Sequence, residues 1–377
     1  MPVMQHSAEN SGAGRNTVLL HIFPSFAHGG QQARLATLVN RMGPQFHHLV
    51  LSLDGALDAR GLFAAGAPIE FNTYAMKKSA GFSLTNILTF RKLIARTSPD
   101  ILCTYNWGSI EAAVANRMGA AKPHIHFEDG FGPDETGGNE NRNRDRARRL
   151  ILSRSTIVTP SHGLEDAART RWARRADQVK RIGNGVDVDG MQVADHAKPH
   201  NIVVGSLGSL RAEKNYRRLI TAFKAADSDA RALLHIVGDG PERARLAAAA
   251  DGDGRITLPG ATSEPAKAYA RFDIFALSSD TEQAPISLME AMASGLPVVA
   301  TNVGDIAKMV SPENLPFVTP PGDDEAYTHA LAQMLQNPTA RADIGAANRR
   351  KAKAAFPVER MVAAHRDLYR SMAGRHA

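Results

Sequence analysis

Along nearly its whole length the chain alternates short aliphatic or β-branched runs with stretches of helix length. Thr17–Phe26 reads as a buried strand, followed by Gly-Gly and a helical stretch Gln31–Met42. His48–Leu53, Asp100–Thr104, His124–Phe127, Thr156–Pro160 and Val179–Ile182 read as further strands. Leu84–Arg96 and Gly163–Arg174 read as helices between them. Strands separated in this way imply parallel βαβ units with helices on both faces of the sheet.

The pattern breaks at the polar stretch Asp187–His200 and then restarts. Asn201–Leu207, Leu233–Val237, Arg255–Leu258, Ile274–Leu277 and Val298–Thr301 read as strands. Tyr216–Ala226 reads as a helix with Asn215 as its N-cap. A further helix runs over Glu242–Ala250, with Pro241 suited to its first position. The final helix, about Val358–Met372, carries Met361, Val362, Leu368 and Tyr369 as an apolar stripe that must pack on something. A chain of 377 residues is too long for one ordinary core. The expected class is therefore α/β, with two doubly wound, Rossmann-like parallel sheets facing across a cleft. The expected divisions are a disordered N-terminus over 1–16, one domain over 17–194, a second over 195–356 and a terminal helical segment over 357–377.

Composition narrows the setting. With 43% hydrophobic and 22% charged residues the chain has an ordinary globular balance. Its one cysteine, Cys103, sits in an apolar run and permits no disulfide framework, which suits a reducing, cytoplasmic compartment. No apolar run is long enough to span a bilayer, and no signal-peptide core is present. The net charge of +7 is concentrated: residues 142–181 hold 12 basic against 4 acidic side chains, densest at Arg142, Arg144, Arg146, Arg148 and Arg149. Such a run is either a solvated helix face or a patch for anionic lipid headgroups or a phosphorylated acceptor. Few aromatic residues are interleaved with it, which argues against nucleic acid.

In open parallel sheets, ligands bind beyond the carboxyl ends of the strands, where helix N-termini point their N–H groups. Several residues cluster at such places. Gly29 and Gly30 open a helix after the first strand, which suits either close approach to a phosphate or a tight turn. Arg211 and Lys214 follow the first strand of the second half and suit a diphosphate as well as two solvated loop charges. Glu282 stands in a loop after Ile274–Leu277, and Glu290 lies one turn into the next helix. The spacing of Ser287 and Glu290 also fits a capping box, so Glu290 is open to both readings. As ligand groups, the two carboxylates could accept hydrogen bonds from polyol hydroxyls. The amides of Gln283, Ala284, Ile286 and Ser287 could face phosphate oxygens. His126, Glu128 and Asp129 end a strand of the first half and could do acid–base or acceptor-binding work, with the two acids pointing to opposite sides. The polar loop Phe131–Asn143 that follows is long enough for an acceptor loop or lid. His47, His48 and His162 have no supporting context and read as structural.

Taken together, Gly208-Ser209-Leu210-Arg211 with Lys214, Val237-Gly238-Asp239-Gly240-Pro241, and Glu290-Ala291-Met292-Ala293-Ser294-Gly295 with Leu296-Pro297-Val298-Val299 resemble a known family. It is that of the retaining glycosyltransferases of GT-B fold, family 4 or glycosyltransferase group 1. Asn184-Gly185-Val186-Asp187 and Gly29-Gly30 also look like family positions. The resemblance implies transfer of a hexose-type sugar from a UDP- or GDP-linked donor to a saccharide or lipid-linked acceptor in bacterial polysaccharide or glycolipid synthesis. It implies neither a cofactor nor a metal. Donor-binding roles would fall to Gly29, Gly30, Arg211, Lys214, Gly238, Gln283, Ala284, Pro285, Ile286 and Glu290, with Glu290 on the ribose. Catalytic roles would fall to Glu282 and His126. Acceptor contacts are assigned to Glu128, Asp129, Arg144 and Arg148, with peripheral contact to an anionic inner-membrane surface. Gln283 stands where the family usually has glycine, which leaves donor identity open and gives a silent sugar-nucleotide-binding scaffold as the alternative.

Overall fold

The computed structural model describes residues 16–74, 82–119, 121–130, 141–193, 201–227 and 232–374. The expected disordered N-terminus therefore lies outside the described residues, except for the exposed Asn16. The chain divides into two compact units, residues 1–182 with 362–377, and Gly183–Met361.

The first unit holds β1 (Thr17–Phe23), β2 (Phe46–Ser52), β3 (Ile69–Thr73), β4 (Ile101–Tyr105), β5 (His124–Phe127), β6 (Thr156–Thr159) and β7 (Val179–Arg181). All are parallel, in the order β3-β2-β1-β4-β5-β6-β7. The second unit holds β8 (Ile202–Leu207), β9 (Ala232–Val237), β10 (Ile256–Gly260), β11 (Ile274–Leu277), β12 (Val298–Thr301) and β13 (Val318–Thr319). Their order is β10-β9-β8-β11-β12-β13, again all parallel. In each sheet the winding reverses beside the first strand, between β1 and β4 and between β8 and β11. Those are the two switch points where a doubly wound sheet opens a crevice.

Both faces of β11 and β12 are covered, which is why these two strands read as apolar runs. Phe275 and Leu277 pack into one core with Val298 and Ala300. Ile274, Ala276 and Val299 point the other way into a second core. The expected boundary near residue 195 lies in a segment, 194–200, that is outside the described residues. The contacts place Gly183 onward in the second unit instead. Val186, Val188 and Met191 join its core, and the Val186 backbone bonds to Phe356 and Val358. Val362–Ala377 are counted with the first unit. There the terminal helix Val358–Ala373 sets Tyr369 edge-on to Phe46, with ring centroids 5.6 Å apart, and buries Val362, Leu368 and Met372.

Some elements differ from the sequence reading. β3 alternates apolar and polar residues and is half-exposed, so it presents no apolar run to read. The helix expected from Glu242 begins at Arg243, with Glu242 as its cap residue. His48 is buried 2.9 Å from a ring nitrogen of His21, and burial lowers its pKa to about 3. His47 pairs with Glu70 at the surface. Cys103 is fully buried, which pushes its thiol pKa up.

Candidate functional site

The second switch point joins the loops that follow β8 and β11 through polar contacts. The loop after β8 runs Gly208–Asn215 and ends in Asn215, which adopts the left-handed region (φ 43°) and caps the helix Tyr216–Ala226 by accepting from the Arg218 amide. The loop after β11 runs Ser278–Pro285. The two are stitched together: the Asp280 amide donates to the Glu213 carbonyl at 2.8 Å, and the Ser278 hydroxyl to the Lys214 carbonyl at 3.0 Å. Across this seam Lys214 Nζ meets Glu282 Oε1 at 2.5 Å, and the Ser279 hydroxyl donates to the same oxygen at 2.8 Å. Lys214, Tyr216, Ser279, Glu282 and Ser287 line a small recess. Arg211, in the same loop, is exposed and lies 4.0 Å from Glu213.

Gly238 belongs to this seam for a packing reason. Its φ of +155° and its closeness to the Gly208 carbonyl leave no room for a Cβ, so the ends of β8 and β9 meet backbone to backbone.

Glu290 lies in the helix Ile286–Ala293, whose cap is Pro285. The capping-box reading is corrected here. Ser287 falls inside the first turn, and the Glu290 carboxylate accepts instead from the Tyr269 hydroxyl at 2.9 Å. Burial raises the Glu290 pKa to about 7, against the lowering effect of that hydrogen bond.

The segment Glu282–Ile286 is held from behind by residues that sequence reading did not assign to it. Asn184 donates to the Ala284 carbonyl at 3.0 Å, and the Asp305 amide donates to the Gln283 carbonyl at 2.9 Å. Gly304, at φ +59°, lies directly behind the Glu282 and Gln283 carbonyls, where any Cβ would collide with backbone. The only sequence signals were the Asn184-Gly185 motif and a glycine after β12. Gly304→Ala is expected to cost the second unit about 1–3 kcal/mol, since both the left-handed conformation and the backbone contact oppose it. Urea unfolding followed by circular dichroism would measure this. An unchanged midpoint would mean that the loop yields freely.

In the first unit the residues gather differently. Gly29 is the N-cap of the helix Gly30–Met42 with an extended φ of −174°, so it fits a helix start but no left-handed turn. From that helix Arg34 and Gln31 bind the Asp129 carboxylate, Gln31 at 3.0 Å. The Asp129 amide donates to Asn106 Oδ1 at 2.8 Å. The ends of β1, β4 and β5 are thereby tied together.

Glu128 turns to other partners, as neighbouring residues of an extended segment should. It is fully buried, 3.1 Å from Arg148 Nε and 3.3 Å from His126 Nε2. His126 is itself fully buried, its Nδ1 lying 2.8 Å from the Thr104 hydroxyl, which also meets His124. These positions correct three expectations. Arg148 belongs to no surface patch, because its guanidinium is buried between the rings of Trp107 and Trp172, at 5.3 and 4.9 Å. Glu128 is consumed by Arg148 rather than turned toward an acceptor. His126 has both nitrogens engaged and no exposed face to offer a sugar. Arg144 is half-buried over Trp107 at 5.2 Å, while Arg142, Arg146 and Arg149 remain exposed. Of the long loop Phe131–Asn143, residues 131–140 lie outside the described residues. Among the described residues no three His, Cys, Asp or Glu side chains converge as a metal site, and no helix is long and apolar enough to cross a membrane.

A family model described as glycosyl transferases group 1 matches residues 192–351, and a glycosyl transferase 4-like domain matches residues 29–185. Over 159 residues the chain is 36% identical to a GDP-mannose-dependent alpha-mannosyltransferase of Mycobacterium tuberculosis, covering 41% of this chain and 39% of that one. It is 29% identical over 219 residues to the sulfoquinovosyl transferase SQD2 of Arabidopsis thaliana, covering 54% and 42%. The chain thus spans about two fifths of the length of these curated relatives. Among solved structures it is similar to Anabaena HepE in complex with UDP-glucose, with a TM-score of 0.77 at 19% identity, covering 94% of this chain and all of that one. It is also similar to sucrose-phosphate synthase of Thermosynechococcus elongatus, with a TM-score of 0.76 at 19% identity, covering 96% and 100%. At such identities the structural likeness speaks for the fold alone, and that fold is GT-B.

Proposed function

The chain belongs to the group 1 glycosyl transferases, and from that membership we propose that it moves a hexose-type sugar from a UDP- or GDP-linked donor to a saccharide or lipid-linked acceptor. The observation that carries this reading is the pairing of Lys214 with Glu282 beside the β8–β11 switch point, where a doubly wound sheet presents its ligand crevice. Arg211 and Lys214 supply positive charge for the diphosphate without a divalent metal. The first-turn amides of Ile286 and Ser287 add donors. Glu290 accepts from the ribose, and Glu282 from the sugar.

Transfer proceeds with retention. The acceptor oxygen bonds to the anomeric carbon as the bond to the diphosphate breaks, and the acceptor proton passes to the departing phosphate oxygen. The exposed Arg142, Arg146 and Arg149 would favour an anionic inner-membrane surface where a lipid-linked acceptor resides. Bacterial polysaccharide or glycolipid synthesis is the matching setting.

Thermal-shift binding with UDP, GDP, ADP and dTDP and their sugars, with and without EDTA, tests the donor site. A nucleotide at about 100 times its dissociation constant should stabilise by about 2.7 kcal/mol. One nucleotide acting regardless of EDTA is the expected result; no response to any of them would overturn the reading. Binding without transfer to any acceptor would mark a sugar-nucleotide-binding scaffold instead.

A further inference from the structure

The Lys214 ammonium has an anionic oxygen against it, namely Glu282 Oε1. Neither partner is sealed in, since the lysine side chain keeps 24% and the carboxylate 10% of its surface exposed. The backbones beneath them are fixed by the Asp280–Glu213 and Ser278–Lys214 hydrogen bonds. The Glu282 carbonyl is further backed by Gly304. The pair can therefore part by rotation of two side chains, with no shift of the sheet or its loops.

We propose that Lys214 and Glu282 form an exchange pair that lets the site distinguish a nucleotide-diphosphate-sugar from the bare nucleoside diphosphate. This rests on the donor-site reading given above. A phosphate that takes over the Lys214 ammonium deprives Glu282 of its counter-ion while the carboxylate is still mostly out of water. An unpaired carboxylate in that position is costly. A sugar on the diphosphate repairs the loss, because its hydroxyls donate to the freed carboxylate alongside the Ser279 hydroxyl. A bare diphosphate brings no such donors and meets the cost uncompensated. The exchange pair thus disfavours the nucleotide product relative to the donor and assists its departure after transfer.

Calorimetric titration of the full chain with UDP and UDP-glucose, and with GDP and GDP-mannose, tests this in three proteins: wild type, Glu282→Gln and Lys214→Gln. Glu282→Gln should tighten the bare diphosphate about fivefold, the worth of one partly exposed ion pair. It should also weaken the matching nucleotide-sugar, so that the affinity ratio between the two collapses. Lys214→Gln should weaken both. If Glu282→Gln leaves the bare diphosphate unchanged or weaker while Lys214→Gln weakens it, the exchange is overturned and the donor site stands. If Lys214→Gln changes neither affinity, the assignment of Lys214 to the diphosphate falls, and the exchange with it.

Discussion

Arg148→Ala is expected to destabilise the first unit by about 3–5 kcal/mol, the penalty for removing one partner of a buried ion pair. The reason lies in what remains. Glu128 is fully buried, and its Oε1 has no hydrogen-bond partner among the described residues. Its Oε2 depends on Arg148 and His126. Without the guanidinium the carboxylate must either stay charged out of water or take up a proton, and both cost folding energy. The variant also empties the slot between Trp107 and Trp172, adding a packing loss. Those are the only two tryptophans in the chain, so intrinsic fluorescence reports on this one place. Denaturant unfolding followed by tryptophan emission should show the transition moved sharply to lower denaturant. The Glu128→Gln, Arg148→Met double variant should recover part of the loss, because it leaves no lone charge. A single-variant cost below about 1 kcal/mol would place Arg148 among ordinary surface arginines and reject the pairing.

Glu290→Gln is expected to make the second unit more stable at pH 8 while weakening nucleotide binding. Burial holds the Glu290 pKa at about 7, above the 4.5 of a free glutamate. The folded state therefore keeps a proton that the unfolded chain releases between these values. Stability contributed by the protonated carboxyl is complete below pH 4.5 and declines as pH rises through the window to 7. The accumulated loss is about 3 kcal/mol. Glutamine keeps an oxygen to accept from Tyr269 and has no charge to desolvate, so the variant and wild type should agree near pH 4.5 and diverge as pH rises. If Glu290 receives the ribose hydroxyls as a carboxylate, the same substitution should weaken the nucleotide about tenfold to a hundredfold, the range for a hydrogen bond to a charged group. Wild-type affinity should climb between pH 6 and 8 as the carboxyl ionises, a range set by its pKa of about 7. Thermal unfolding and calorimetric binding across that range read both effects. Parallel stability curves for the two proteins would reject the buried carboxyl, and a flat affinity profile would reject its contact with ribose.

Short-range chemistry in the sequence was enough for much of the fold. β11 and β12 match the expected runs to the residue, because apolar stretches bounded by turn residues leave a parallel strand few alternatives, and β5 matches despite its two histidines. The helix Tyr216–Ala226 and its cap Asn215 also match, since capping depends on neighbours within one turn. β3 escaped because half of it faces water and its signal is diluted, and β13 because two residues carry no period. The positions of Glu282, Glu290 and Lys214 were legible as motif residues, but their partners were not. Lys214 and Glu282 are brought together from 68 residues apart, and Asn184 reaches Ala284 across 100. Local periodicity carries no record of such meetings, because they arise from the order in which strands enter the sheet. The same limit explains Arg148. By itself the sequence showed a dense run of arginines, open between a solvated helix face and an anion-binding patch, and only tertiary packing decided which one would leave water. The choice fell on the side chain that met a buried carboxylate and two indole faces, where the cost of losing water is offset by a fixed opposite charge.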